Sequence, residues 1–553
     1  MKAPRLFDES KRIKQSPAHM RTLRNILAGL CVAAAAASAQ TTNSVTKSLT
    51  LEDCLQTALQ HNFDVQIKRY SPEIARYTLG VSYANYDPSF TFSGEHDYTR
   101  ASGGVDPQGR PFGGTESDSD SFRTGINGLL PWGLTYDLGG SLSDRAGTQP
   151  GSVPDPSSPF TVTNSFVDVN TGNTITYYTT NYNTVPARFP FENTSGNIGF
   201  LQLRQPVLKN FWIDSTRLSI AINKRNLKIS DLDLRSQIMN TVTAVEEAYY
   251  NLIFSEENVK VQEAALELAK RLLAENKKRV EVGALAPLDE KQSESQVATS
   301  EADLLAALGS RDTQQRVLKN LLSDDYTKWE DASLKPTEPL LAVPQSFNKQ
   351  ESWARGLSQR PDLQQARLSL EKQGYVVRFQ KNQLFPQLDL FGTYGFNASS
   401  REYSGAFDQF QRGDSPFYSA GAQVTVPLGN AAARNNYRSA KASKEQIALQ
   451  LKQLQQTVLV QIENAIAIAV TSFERVKATK EASRYAQDAL EAEQKKLENG
   501  KSTSFIVLQL QKDLTSARSA EIRALADYNI ALAQLALNEG TTLERRHVAL
   551  DVK

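Results

Sequence analysis

The sequence predicts a protein that is mainly α with β: a transmembrane β-barrel continued by a long α-helical barrel, with two internal repeats in each chain. Three observations lead there. From Asn430 to Asn499 about seventy residues pass without a glycine or proline, Gly500 interrupts, and the run resumes to Glu539. A typical helix has about 12 residues and rises about 1.5 Å per residue, so the first arm alone reaches on the order of 100 Å. The first half repeats the plan: Val207 to Val282 lacks both residues, Gly283 and Pro287 supply the break, and Leu288 returns towards Leu322 with only Gly309 inside. Ahead of each hairpin lie short segments in which apolar and polar residues alternate with the period of a strand.

The 553 residues would suggest three or four ordinary domains, but the long arms and their duplication argue for one elongated architecture. Lys and Arg number 62 against 61 Asp and Glu. The two signs alternate along the arms as on a solvated helix face, which gives no reason for a nucleic-acid partner.

The N-terminus has the parts of a secretory signal over 1–39: Arg21 and Arg24, the apolar run Ile26 to Ala37, and small residues Ala37, Ser38 and Ala39 before Gln40. Met20 directly precedes the charged part, so residues 1–19 are either an extended charged region or lie ahead of the true start. Cys31 follows the bulky Leu30, which argues against a lipid anchor there. Cleavage leaves Cys54 alone, so no intramolecular disulfide is expected. No later stretch approaches the roughly 18 to 20 continuous apolar residues of a membrane-spanning helix.

The first repeat, 40–322, opens with a short helix and places its strands within 88–208. After Pro88 one strand face reads Phe90, Phe92, Gly94, His96 and Tyr98, and the other Ser89, Thr91, Ser93, Glu95, Asp97 and Thr99. Phe122 to Leu130, the turn Pro131, Trp132 and Gly133, and a return with Leu134, Tyr136, Leu138 and Leu142 on one face read as a hairpin found only in this half. A proline-, serine- and threonine-rich stretch, about 146–192, reads as a long extracellular loop. Asn197 to Gln205 descends again, less cleanly, because Leu201 and Leu203 share a face. The helical hairpin then occupies 209–322 with its tip near 283.

An inter-repeat linker, 323–345, leads to the second repeat, 346–539. Its strands are expected at 386–397, with Leu388, Leu390, Gly392, Tyr394 and Phe396 on one face, and at 417–428, with Ala420, Ala422, Val424 and Val426 alternating with polar residues. The hairpin 430–539 has its tip near 500, and 540–553 is a C-terminal tail. A soluble sandwich would use the same alternation but needs a second sheet over the greasy face, and the strands are too few for two sheets. Lipid covers that face in a closed barrel.

Along the second arm Ile447, Leu451, Leu454, Val458, Ile462, Ala465, Ala469, Phe473 and Val476 step by threes and fours that mix a heptad with an eleven-residue repeat. That mixture predicts nearly straight helices, as the wall of a tube requires.

Several local signatures resemble the TolC family of outer-membrane efflux and export ducts. Leu49 to Leu55 with Ala58, Leu59 and Asn62 is similar to the family's opening segment. Arg360 to Leu363 is similar to the start of its second repeat, and Gln205 to Leu208 to the exit from barrel to helix. The resemblance covers essentially the whole mature chain. It implies a homotrimer in which three chains share one barrel in the outer membrane and one helical tunnel across the periplasm, with about 12 or about 18 strands according to whether the Phe122 to Leu142 pair joins the wall.

Arg279 to Ala286 resembles the family's first tip, which implicates Val282, Gly283, Leu285 and Ala286 in docking a periplasmic adaptor linked to an inner-membrane pump. Gly500 and Thr503 match the second tip, and Val507 and Leu508 the segment inside it. Glycine also serves simply to permit each turn. Asp289, Gln509 and Asp513 are the candidate polar residues of the tunnel entrance. The family pattern places cation-binding aspartates where this chain has Ile506 and Gln509, so a weaker acidic ring is expected.

No enzyme is expected, and no cofactor or metal. Only His61, His96 and His547 follow the signal, without metal-ligand spacing. Gly500, Lys501 and Ser502 imitate the end of a phosphate-binding loop, but Lys495 stands where its first glycine belongs and no strand precedes it. The expectation is a passive exit duct of a tripartite efflux or type I secretion system; the alternative is a trimeric coiled-coil adhesin or periplasmic scaffold.

Overall fold

The computed structural model describes residues 46–105, 109 and 111–548. The expected signal and residues 549–553 of the tail lie outside them. Strand β1 (Thr46–Leu49) leads into α1 (Leu51–His61) and α2 (Phe63–Tyr83). Thr50 and Asp53 form a capping box at α1, and the Asn62 side chain accepts from Asp64 and Val65 at the start of α2.

Strands β2 (Ser89–Ala101), β3 (Thr115–Leu129), β4 (Thr135–Val167) and β5 (Thr174–Pro206) follow, then the helices α3 (Ser215–Glu281) and α4 (Pro287–Leu322). The second repeat begins after β6 (Ser333–Pro336) with α5 (Lys349–Gln359) and α6 (Pro361–Asn382). It continues through β7 (Gln387–Ser400), α7 (Tyr403–Arg412) and β8 (Pro416–Thr425) to α8 (Ala431–Glu498), α9 (Ser504–Glu539) and the short α10 (Thr542–Arg545).

The long strands form one antiparallel six-stranded sheet in the order β8-β7-β5-β4-β3-β2. The Phe122 to Leu142 hairpin is therefore part of the wall. Register aligns Phe90, Ile126, Leu138, Leu201, Tyr394 and Tyr418 in one row across all six strands. The adjacent row, on the opposite face, is Ser89, Asn127, Asp137, Gln202, Thr393 and Ser419. Leu201 and Leu203 lie with Ile198 because β5 carries a bulge between Ile198 and Leu201, where Gly199 has φ +62°. The extra residue reverses the alternation once, which is why the strand looked irregular.

The expected loop at 146–192 is instead most of a long hairpin. Beyond Gln149 and Phe189, β4 and β5 pair only with each other, out to Val167 and Thr174. Prolines give these strands the look of a loop. Pro150, Pro154, Pro186 and Pro190 occupy one parity of the ladder, where nitrogens point to the open edge and no donor is needed. A further element not expected from the sequence is α7, whose Tyr403, Phe407 and Phe410 lie over Phe92, Phe122 and Leu142 around a cleft of about 470 Å³ on the greasy face.

The helical hairpin starts at Ser215 rather than 209, because Asn210 adopts φ +66° and the Asp214 side chain caps α3 through Arg217 N at 2.7 Å. The helices share a core in which Leu51, Cys54 and Leu55 of α1 meet Val242, Tyr249 and Leu252 of α3 and Leu318 and Leu322 of α4. The linker is ordered: β6 pairs in parallel with β1. Within the tail, Leu543 joins the core and Arg546 pairs with buried Glu246.

In α8, Val458, Ile462, Ala465, Ala469 and Val476 are buried as expected, and beyond them Ser483, Leu490 and Leu497 follow at steps of seven. The mixed repeat thus gives way to a left-handed heptad towards the tip. By composition α8 does contain a stretch apolar enough to cross a membrane. That stretch belongs to a 68-residue helix packed on α5, α6 and α9.

Candidate functional site

The two hairpin tips are built alike. At the first, α3 ends with Lys278 and Arg279 in its last turn, where cations complement the helix dipole. Gly283 takes φ +75° and donates to Val280 O at 2.9 Å, while Ala284 N donates to Arg279 O at 2.7 Å. Pro287 then opens α4, with Ala286 at its N-cap and Asp289 and Glu290 in its first turn. At the second, Gly500 takes φ +69°, Lys501 N donates to Lys496 O at 2.8 Å, and Thr503 precedes α9. The left-handed backbone requires glycine at both turns.

Exposed apolar side chains decorate both turns. Val282 is 79% exposed and Leu288 66%; Phe505 is 59% and Ile506 43% exposed on the other tip. Leu285 is half-buried, and Gly283, Ala286, Gly500 and Thr503 are exposed. Immediately inside lies an apolar layer of Leu272, Leu490, Leu497, Val507, Leu508 and Leu514, which joins α3 to α8 and α9.

A buried polar clasp ties the two tips together. Asn276 of α3 donates through Nδ2 to Ser293 Oγ of α4 at 2.8 Å, and its Oδ1 accepts from Ser504 Oγ of α9 at 3.1 Å. Ser293 Oγ in turn donates to the backbone carbonyl of Asp289 at 2.9 Å. Asn276, Ser293 and Ser504 have no solvent exposure. None of the three was singled out in the sequence. Each does fall on its helix's buried stripe, as Asn276 does after Ala269 and Leu272.

Charged residues surround the clasp. Lys277 lies 3.7 Å from Glu294, and Lys291, hydrogen-bonded to Glu294, holds that carboxyl below its usual range. On the second tip, Lys496 and then Ser502 donate to Glu493 and hold its carboxyl down as well. Of the expected entrance residues, Gln509 and Asp513 come together on an exposed face of α9, Gln509 Nε2 donating to Asp513 Oδ1 at 3.0 Å. Asp289 is half-buried at the base of α4. No group of three or more His, Cys, Asp or Glu suited to a metal ion occurs among the described residues.

Comparisons with known proteins bear on the fold and the family. A family model described as outer membrane efflux protein matches residues 176–323 and 355–541, one segment in each repeat. The chain is 23% identical over 348 residues to the alkaline protease secretion protein AprF of Pseudomonas aeruginosa, covering 62% of this chain and 69% of that one. It is 25% identical over 374 residues to the outer membrane protein TolC of Escherichia coli K12, covering 65% and 72%. The crystal structure of the Campylobacter jejuni CmeC outer membrane channel superposes with a TM-score of 0.61 at 16% identity, covering 92% of this chain and 93% of that one. With its paired hairpins below a sheet that is greasy on one face, the chain belongs to the outer membrane efflux protein family and is an outer-membrane duct with its helices in the periplasm.

Proposed function

We propose that three copies form one passive, gated exit conduit, which takes cargo from an inner-membrane pump through a periplasmic adaptor docked at the tips. The observation that carries this reading is a matched pair of unpartnered edges. In the sheet the edge strands are β2 and β8. In the helical layer α2 packs on α3, α3 on α6 and α6 on α8, so α2 and α8 are its outer members. Strand β2 continues α2, and β8 leads into α8, so strand and helix leave the same two sides open.

Those sides suit each other. Phe63, Ile67, Tyr70, Ile74, Tyr77 and Val81 form a stripe on α2 at steps of four and three, every one more than half exposed. On α8, Leu449 and Val460 are exposed outside the intramolecular seam. Strands alternate in direction across the sheet, so β8 of one copy meets β2 of the next antiparallel. Closure also satisfies edge N–H and C=O groups that would otherwise face hydrocarbon. Membership of the family implies three copies, and three six-stranded sheets make a barrel of about 18 strands, wide enough for an aqueous channel.

The exposed apolar residues of both tips, Val282, Leu288 and Phe505, are the docking surface for the adaptor. The duct itself performs no catalysis; energy and substrate choice reside in the partners. Electron cryomicroscopy of the detergent-extracted protein, with its mass measured in the same preparation, tests the assembly. A threefold tapered cylinder well over 100 Å long, from helices rising about 1.5 Å per residue, is expected. A monomer, or a rod that needs no detergent, would replace the duct with a scaffold.

A further inference from the structure

The hairpin extension of β4 and β5 changes its polarity where it leaves the sheet. Within the wall the greasy face carries Phe90, Ile126, Leu138 and Leu201, and the same face continues along the ribbon with mostly hydroxyls and prolines, Pro150, Ser152, Pro154, Thr161, Thr163 and Ser165 with Thr176, Thr180 and Arg188 opposite, interrupted by Val167, Tyr178 and Tyr182. The other face is wet in the wall, at Asn127, Asp137 and Gln202. On the ribbon it becomes largely apolar, with Val153, Val185 and Phe189, then Phe160, Phe166, Ile175 and Tyr177 among Asn164, Thr179 and Asn181. The seven apolar side chains are between 36% and 53% exposed, and Phe166 and Tyr177 meet edge to face with ring centroids 6.4 Å apart.

An isolated two-stranded ribbon is at best marginally stable in water, and a contiguous exposed apolar face marks an interaction surface. Which partner covers it follows from where the face begins. It is continuous with the lumen face of the wall, so at the barrel rim it turns away from lipid and towards the pore. What stands across the pore is the same ribbon of another copy. We infer that the ribbons of neighbouring copies pack apolar face to apolar face beyond the membrane and form a cap over the exit of the duct. This rests on the trimeric-duct reading above.

Two measurements on the full-length assembled protein test the cap. Single cysteines are introduced at F166C or Y177C on the lumen-continuous face and at T163C or T176C on the opposite face. Mild oxidation is expected to give disulfide-linked dimers from the first pair and not from the second. Equal cross-linking from both faces, or none from the lumen-continuous face, overturns the cap. In planar bilayers, replacing residues 150–187 by a short Asn-Gly turn is expected to raise conductance several-fold, and an unchanged conductance overturns the cap. If neither form conducts, the duct reading fails, while cross-linking still reports on the ribbons alone.

Discussion

Asn276 is the residue through which the two repeats hold each other at the tip. Its amide uses both ends, donating to Ser293 and accepting from Ser504, and all three groups are sealed from water. Removing one partner leaves the others buried and unpaired, so Asn276→Ala or Ser504→Ala costs about 1–3 kcal/mol locally. Hydrogen exchange is expected to accelerate in the last turns of α3 and the first of α9 while the upper helices stay protected. Unchanged exchange at the tip would remove the clasp from the account. These residues were hard to read beforehand because a serine or asparagine in an amphipathic arm looks like surface; only its place on the buried stripe separates it. Cys54 was easier. It is the lone thiol left after the signal, and burial in the α1 core pushes its pKa up to about 12. It should resist thiol reagents at pH 8 in the native protein and react only on unfolding. Glu493 adds a pH dependence. Lys496 and Ser502 lower its folded pKa below the ordinary 4.5, so the stabilisation is full above about pH 4.5 and is lost as pH falls through the folded value. Protection of the Gly500 turn, measured as exchange relative to the intrinsic rate at each pH, should therefore fall on acidification below that range, and Ser502→Ala should weaken the response.

Among the elements, α2 has the clearest unmet requirement. Its inward side is thin, with Val65, Pro72 and Ser82 buried, while the stripe from Phe63 to Val81 faces outward. Such a helix is stable only if a second surface covers the stripe. The double substitution Tyr70→Glu with Ile74→Glu is expected to release monomers in detergent, seen by light scattering, with helix content by circular dichroism retained. Trimers that persist would place the subunit interface elsewhere. The elements themselves were legible in proportion to their punctuation. The four long helices stood out because glycine and proline mark their ends and nowhere else except Gly309. The β4–β5 extension was hidden by its prolines, which usually signal a loop but here sit where the ladder needs no donor. α7 has only ten residues with Gly405 inside and falls below the length at which a helical period can be recognised.

At the scale of the whole molecule, the open edges decide what the tips can do. Only when several copies close on one another do α9 residues from each chain converge, so the entrance is a property of the assembly. Gln509 and Asp513 occupy an exposed face of α9, bonded to each other, and Ile506 stands exposed one turn towards the tip. With glutamine and isoleucine at the positions where the resemblance calls for aspartates, three copies would present one carboxylate each, from Asp513, instead of a dense acidic ring. Charges that converge in a narrow mouth reinforce one another, since the potential of a cleft sums over its wall and low-dielectric surroundings focus it. Multivalent cations should therefore block single-channel conductance weakly in the natural protein. Ile506→Asp combined with Gln509→Asp should create strong block, because each chain then adds two carboxylates one turn apart. If the natural protein is already blocked strongly, the ring must be built from other residues, with Asp289 the next to test. If the double variant conducts and remains insensitive, α9 does not line the entrance, and the proposed packing of the tips is wrong.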